Sequence, residues 1–508
     1  MTGAEKRFFT GITTCTVFSL LLILAVLSGA VPLGVPGEWC WNRAQNIEFP
    51  IFETITVIIF FCTAAVIAFL TDFRSAFTHG KIAGVVLILL CGLIIDYQIL
   101  MSGRAGVSEN MIGIIDKYTS GYMTVAATID SPVKYYSDFT KPQNARISTP
   151  EHIDVHPPGN VLVSWLALKT CRESESLRKL IDRILPSGSI EKVAAENTGD
   201  GVKQAGTVMA YAAALLLLLM LAGISLAKGL ILLSAFILTK SKFHYAGLTA
   251  LTLLAVPGPI LFAGHYDPPF YFITALCCLF FVLAATGRKP ALLWAGLCGF
   301  ALGIGTIFTL AYGTLIILFF AFFLITAFTS DKIKNNLTIA AAAAAGGLAV
   351  ALLCYLCGFN IIGIFLQCIH NQARFHAATS RSAIWGALNF FDFLLFLGPV
   401  GFFLPFFLLA GKIAGIGRNV KAILMEKSIL FTLLYAVMLF FMCLSPLTRG
   451  EMGRLLIFYM PVPLVLGSAM IAEQPASGRT AILICIAGAL LMTQTILMRV
   501  VLKLVIAI

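Results

Sequence analysis

The amino-acid sequence predicts an all-α polytopic membrane protein, and three observations carry that prediction. The composition is apolar: 59% of the 508 residues are hydrophobic, 12% are charged, and the mean hydropathy is +0.94. So little polar surface cannot cover a set of soluble domains. Apolar runs of about 20 residues, the length that crosses a bilayer, recur along the whole chain. Short connections rich in Lys and Arg alternate with connections that are not, as the positive-inside rule requires.

Runs of spanning length between polar or Gly/Pro breaks number about thirteen. They lie near 11–35, 50–70, 82–101, 207–236, 243–263, 268–287, 291–307, 310–329, 337–358, 386–410, 428–446, 455–472 and 479–503. The first follows Lys6 and Arg7 but is longer than the apolar core of a signal peptide and lacks a small-x-small cleavage site, so it reads as a retained helix that starts inside. Every short basic connection then falls on one face: Arg74/Lys81, Lys240/Lys242, Arg288/Lys289, Lys332/Lys334 and Lys412/Arg418/Lys421/Lys427. That face is the cytoplasmic one. The chain divides into N-terminal spans (1–101), a long external loop (102–206) and the remaining bundle (207–508), with external loops near 264–269, 359–385 and 446–454. Amphipathic stretches in the long loop suit helices lying along the interface, and Ala340–Ala345 suits close helix packing.

The 35 Lys and Arg exceed the 24 Asp and Glu, but no basic run of the kind that tracks phosphates is present, which excludes nucleic acid as a partner. The thirteen cysteines sit mostly inside apolar runs, without zinc-ligand spacing. Only Cys40 and Cys171 fall in external loops, where a disulfide is conceivable. Lys228, inside the fourth span, reads as a snorkelling residue.

The external segments collect the chemistry-bearing residues. His156-Pro157-Pro158-Gly159 is a rigid turn feeding Asn160–Trp165, either holding His156 in place or merely starting a helix. His152 lies four residues earlier, but Pro157 disfavours the helix that a metal pair would need. Asp267, ahead of Pro268, is placed to cap a helix or to bind a hydroxyl or metal at its mouth. Asn371, Arg374, Arg381 and Trp385 precede Asn389 and Asp392, which are three apart on one helical face. Arg449, Glu451 and Arg454 lie between the eleventh and twelfth spans. Arginine at a membrane boundary anchors to lipid or pairs with a phosphate. No Ser-His-Asp order, phosphate loop or HExxH is present.

Taken in order, these segments resemble the GT-C superfamily of multi-pass glycosyltransferases, in particular protein mannosyltransferase and aminoarabinose transferase relatives and a bacterial branch. His156-Pro-Pro-Gly159 resembles the motif ending their first large external loop. Tyr118–Tyr122 resembles the lead-in to it, Asp267-Pro268 the start of a mid-chain helix, and Arg381…Trp385…Asn389…Asp392 and Gly450-Glu451…Arg454 later segments. The resemblance implies a sugar donor on polyprenyl phosphate, a glycan, lipid or protein acceptor, and inverting transfer at the external face of a bacterial inner membrane. A carboxylate would act as base, and a divalent metal, Mg or Mn, is a possible helper. His156, His152 and Tyr122, with Asn371, Arg374, Arg381, Trp385, Asn389, Asp392, Arg449, Glu451 and Arg454, would then bind substrate. One departure leaves the base open: Ser120-Gly121 stands where the superfamily places its acidic residue. Asp267, Asp116, Asp138, Asp154 and Asp96 are the candidates. The rival expectations are a secondary transporter, which favours ionisable groups deep in the bundle, a polysaccharide polymerase or ligase, and a non-catalytic relative.

Overall fold

The structure is a computed structural model. It describes residues 3–29, 33–35, 38–44, 47, 49–73, 78–103, 106–116, 121–140, 152–196, 205–239, 244–329, 333–377, 382–417, 419–445, 450–474 and 477–504. Helix α1 (Gly3–Ser28) leads into a minimal antiparallel hairpin, β1 (Gly34–Val35) and β2 (Trp39–Cys40). Helices α2 (Ile51–Phe73) and α3 (Thr78–Met101) follow. Six short helices come next: α4 (Val107–Ile115), α5 (Tyr122–Thr128), α6 (Pro132–Phe139), α7 (Gly159–Glu173), α8 (Glu175–Ile184) and α9 (Ser189–Glu196). A single 3-10 turn, His152–Val155, precedes α7.

The rest of the chain returns to long apolar helices. They run α10 (Ala205–Leu238), the pair α11 (Ala246–Leu254) and α12 (Pro257–Leu261), α13 (Pro268–Ala285), α14 (Ala291–Phe308), α15 (Tyr312–Thr329) and α16 (Ile333–Leu356). Then come α17 (Ile361–Ala377), α18 (Trp385–Leu397), α19 (Pro399–Ile416), α20 (Val420–Met425), α21 (Lys427–Leu444), α22 (Met452–Leu455), a 3-10 turn Ile457–Tyr459, α23 (Pro461–Ala472) and α24 (Gly478–Val501).

Among the described residues, 11 helices are long and apolar enough to cross a membrane: α1, α2, α3, α10, α13, α14, α15, α16, α19, α21 and α24. The all-α polytopic architecture is therefore present, but the expected count of about thirteen full spans is not reproduced. Two of the expected runs, 243–263 and 455–472, yield only shorter helices, and a third, 386–410, breaks so that its span shifts to α19. The run 243–263 divides at Val256-Pro257, because proline withholds an amide and favours an extended residue before it. The run 386–410 divides at Gly398-Pro399, with Gly398 at φ 82°, and 455–472 opens as short turns before Pro461.

Close packing uses the small residues. Gly299 of α14 lies against the Ala343 carbonyl of α16 and Gly346 against the Gly296 carbonyl, with no room for a Cβ at either. Phe281 stacks on Phe319 at 4.6 Å and on Phe431 at 4.7 Å, joining α13, α15 and α21. All thirteen cysteines are free thiols, so Cys40 and Cys171 form no disulfide. Lys228 does not snorkel: its ammonium is buried and bonds both carboxylate oxygens of Asp96 at 2.8 and 2.7 Å, bridging α10 and α3. The chain ends interlock, with Ala44 N donating to Val501 O at 2.7 Å and Lys503 N to Asn42 O at 2.8 Å. Arg43 supplies donors to the last carbonyls of α1, Ala25 O at 3.1 Å and Val26 O at 3.3 Å.

A buried charge deprived of its partner costs on the order of 3–5 kcal/mol, whereas replacing both members with apolar groups is often neutral. Lys228→Met should therefore lower the thermal midpoint in detergent sharply, and the double variant Asp96→Leu/Lys228→Met should recover most of the loss. Additive losses would show that the pair does not interact.

Candidate active site

At the turns before α13 and α22 a cluster of charged side chains is built from two non-spanning segments. Asp267 stands at the N-terminus of α13, where Pro268 and Pro269 pre-shape the first turn. Its carboxylate makes no capping hydrogen bond to that turn. It faces Arg454 instead, with Oδ2 3.8 Å from Nε. The same guanidinium holds Glu451 through Nη2 at 2.7 Å.

Glu451 and Arg454 lie on a turn that needs support. Gly450 has φ 86° and Glu451 φ 56°, a left-handed conformation that costs a non-glycine residue about 1–3 kcal/mol. Helix α18 supplies the template through two buried residues three apart. Asn389 accepts from Gly450 N at 3.2 Å and donates to Cys443 O at 2.7 Å. Asp392 accepts from Gly453 N at 2.7 Å with one oxygen and from Trp41 Nε1 at 2.7 Å with the other. Gly453 packs against the Phe396 ring with no space for a side chain. Asn389 and Asp392 thus position the turn.

The His156 motif forms the neighbouring wall. Pro157, Pro158 and Gly159 are buried, and a Cβ on Gly159 would lie 2.5 Å from Ile307 O, so glycine lets α7 start against the end of α14. Asn160 then hydrogen-bonds Tyr122, whose ring meets Tyr266 edge-on at 4.9 Å. Ser164 and Tyr266 share a hydrogen bond of 2.7 Å. Burial holds the Tyr122 and Tyr266 phenols well above their ordinary range. The link from the motif to Asp267 and Arg454 runs through Asn160 and Tyr122, while His156 sits half-buried at the start of the turn.

Burial raises Asp267 to about 6, opposed by Arg454 and reinforced by Glu451. Burial, aided by the guanidiniums of Arg454 and Arg499, pushes His265 down to about 3, so it is neutral and donates Nε2–H to Leu504 O at 3.0 Å. Arg499 is buried and bonded to Glu109 Oε2 at 3.2 Å and Leu100 O at 3.3 Å.

Of the residues expected from sequence, Asp267, Glu451, Arg454 and Tyr122 come together. Asp154 lies in the 3-10 turn, its carbonyl accepting from Asn371 Nδ2 at 2.9 Å, with Arg374 one turn further along α17. Trp385 donates Nε1–H to Glu38 at 2.7 Å, tying α18 to the hairpin. Asp116 ends α4 and Asp138 lies on α6, both half-buried. Asp96 is held by Lys228. His152 is described only in its backbone, and Arg381 and Arg449 lie outside the described residues. Sequence reasoning missed His265, Arg499, Glu109, Trp41 and Glu38. His265 adjoins the Tyr266-Asp267 pair and Arg499 is a lone cation ending an apolar run, which are the only signals available for them. Among the described residues no group of three His, Cys, Asp or Glu side chains is arranged to hold a metal ion. No protein-family model, curated protein or solved structure matches this chain.

Overpacking a tight contact costs roughly 1–3 kcal/mol. Gly159→Ala and Gly453→Ala should each lower the thermal midpoint measurably, while Gly313→Ala, with open space at its Cβ position, should leave it nearly unchanged.

Proposed function

We propose that the chain is a membrane glycosyltransferase that moves a sugar from a polyprenyl-phosphate donor to an acceptor hydroxyl at the external face of the membrane. The observation that carries this reading is the Asp267–Arg454–Glu451 cluster, in which the strained turn before α22 faces the start of α13. The alternation of basic connections supports putting that end outside, and the order of the motifs supports the sugar-transfer chemistry.

Asp267 is the base on this reading. Its carboxylate takes the proton of the acceptor hydroxyl as that oxygen bonds to the anomeric carbon. The bond from that carbon to the phosphate oxygen breaks on the opposite side, and polyprenyl phosphate leaves with the electron pair. Arg454, whose buried Nε has no hydrogen-bond partner among the described residues, supplies positive charge where the departing phosphate gains negative charge. Glu451 orients that guanidinium, and the buried Tyr122–Asn160 and Tyr266–Ser164 pairs fix the wall behind it. Asp267 and Glu451 are both engaged by Arg454.

One observation favours a second reading. The Asp96–Lys228 pair lies inside the bundle, where a secondary transporter would keep an ionisable couple. The two readings separate on whether a covalent product forms.

A carboxylate of about 6 is charged above that pH and protonated below it. Turnover of labelled polyprenyl-phosphate sugar by the purified protein should therefore fall as pH drops through about 6. Asp267→Asn should lose roughly 10²–10⁴-fold in rate and with it the acid limb. Unchanged turnover in that variant would remove Asp267 from the chemistry.

A further inference from the structure

The geometry of α17 points to an in-plane anchor: we infer that this helix lies in the headgroup–acyl boundary of the bilayer and ties that layer to the His156 segment. The inference stands apart from the sugar-transfer reading. At 100° per residue Ile364, Cys368 and Asn371 share one face, and all three are buried. Ile362, Leu366 and Ile369 share the opposite face and are 65%, 61% and 46% exposed. Gln367, His370 and Arg374 form a polar strip along one side between them. An amphipathic helix on a globular protein needs one apolar face, against the core. Here a second one is left uncovered by the chain.

The surroundings say what covers it. Helix α16, immediately before, is a candidate membrane span, and Leu348, Leu352, Leu353, Tyr355 and Leu356 near its end are exposed as well. Gly358, at φ 84°, turns the chain, and Asn360 caps the new helix through Gly363 N at 3.0 Å. The exposed stripe of α17 therefore continues the lipid-facing surface of α16. Its 17 residues extend about 25 Å, short of a bilayer core of about 30 Å, which suits a helix lying in the interface. The helix carries Arg374 and no carboxylate, a charge balance that matches lipid phosphates.

The buried face makes the tie. Asn371 Nδ2 donates to the Asp154 carbonyl at 2.9 Å, and Gln367 holds the Asn371 oxygen at 2.9 Å. Ile364 and Cys368 pack with Tyr136 and Phe139 of α6 in a cluster separate from the main core. The depth of α17 in the bilayer thus sets the place of the 3-10 turn that leads into Pro157-Pro158-Gly159.

Nitroxides placed through an encoded ketone side chain at 362, 366 and 369, and at exposed Glu175 as a control, test this in nanodiscs containing anionic phospholipid. Collisions with oxygen should exceed those with a water-soluble nickel chelate several-fold at the three α17 positions, with the reverse order at 175. A nickel preference at the three would put the stripe in water, and low access to both reagents would put protein over it; either overturns the lipid assignment. Leu366→Asp should speed amide exchange over 152–156 several-fold in the same nanodiscs. Unchanged exchange there, with the helix displaced, would overturn the tie.

Discussion

Asp392 holds together segments that have no other reason to meet. Backbone that neither crosses the bilayer nor forms regular helix must find its hydrogen bonds in side chains, and Gly453 finds its acceptor in this buried carboxylate. The second oxygen fixes Trp41, whose ring packs against Phe262 at 5.4 Å and Phe396 at 5.2 Å. Without Asp392, two buried donors would lose their acceptor, a penalty of about 1–3 kcal/mol each. The chain just beyond Trp41 pairs with residues 501–503, and Leu504 receives His265, the neighbour of Tyr266 and Asp267. A closed belt therefore runs from the N-terminal hairpin through the C-terminus and the loop before α13 back to the turn of Arg454.

Hydropathy made the architecture legible because lipid tolerates few alternatives to the long helix. Most apolar runs coincide with an observed helix, although 11–35 is shifted against α1 and 386–410 stops short of the end of α19, and the Ala-rich stretch of α16 is a close-packing face. The breaks were less legible. Val256-Pro257 and Gly398-Pro399 are visible as letters, yet proline also opens intact spans, as at Pro268. Whether a proline kinks a helix or divides it depends on what satisfies the freed carbonyls, and those partners lie far away in sequence. Lys228 makes the same point: only the contact with α3 distinguishes a snorkelling lysine from one buried against Asp96, 132 residues away.

The candidate site was legible where its members cluster in short polar loops and opaque where they come from apolar helices. Asp267, Glu451 and Arg454 stood out because charges at span ends need explaining. Trp41 and Arg499 did not, since a tryptophan or arginine near a membrane boundary usually meets headgroups. Asn389 and Asp392 were recognised as a pair, but their spacing gives a shared face and not its direction. They turn toward the backbone of the Glu451 turn. The His156 motif is similar, for its prolines and glycine were noticed for the histidine they precede, while the packing of Gly159 against Ile307 and the bond from Asn160 to Tyr122 are what connect it to the cluster.

One guanidinium facing two carboxylates cannot serve both equally. Arg454 meets Glu451 at 2.7 Å and Asp267 at 3.8 Å, so the shorter contact falls to the residue in the left-handed turn. Asp267 is left half-buried and only partly compensated, with a second carboxylate nearby, and those conditions raise a carboxyl toward neutrality. A closer guanidinium would lower the Asp267 carboxyl toward its ordinary range and make it a weaker base. On the sugar-transfer reading this inequality assigns orientation to Glu451 and proton transfer to Asp267. It also explains why so many side chains, from Trp41 to Asn389, serve to hold five residues of loop.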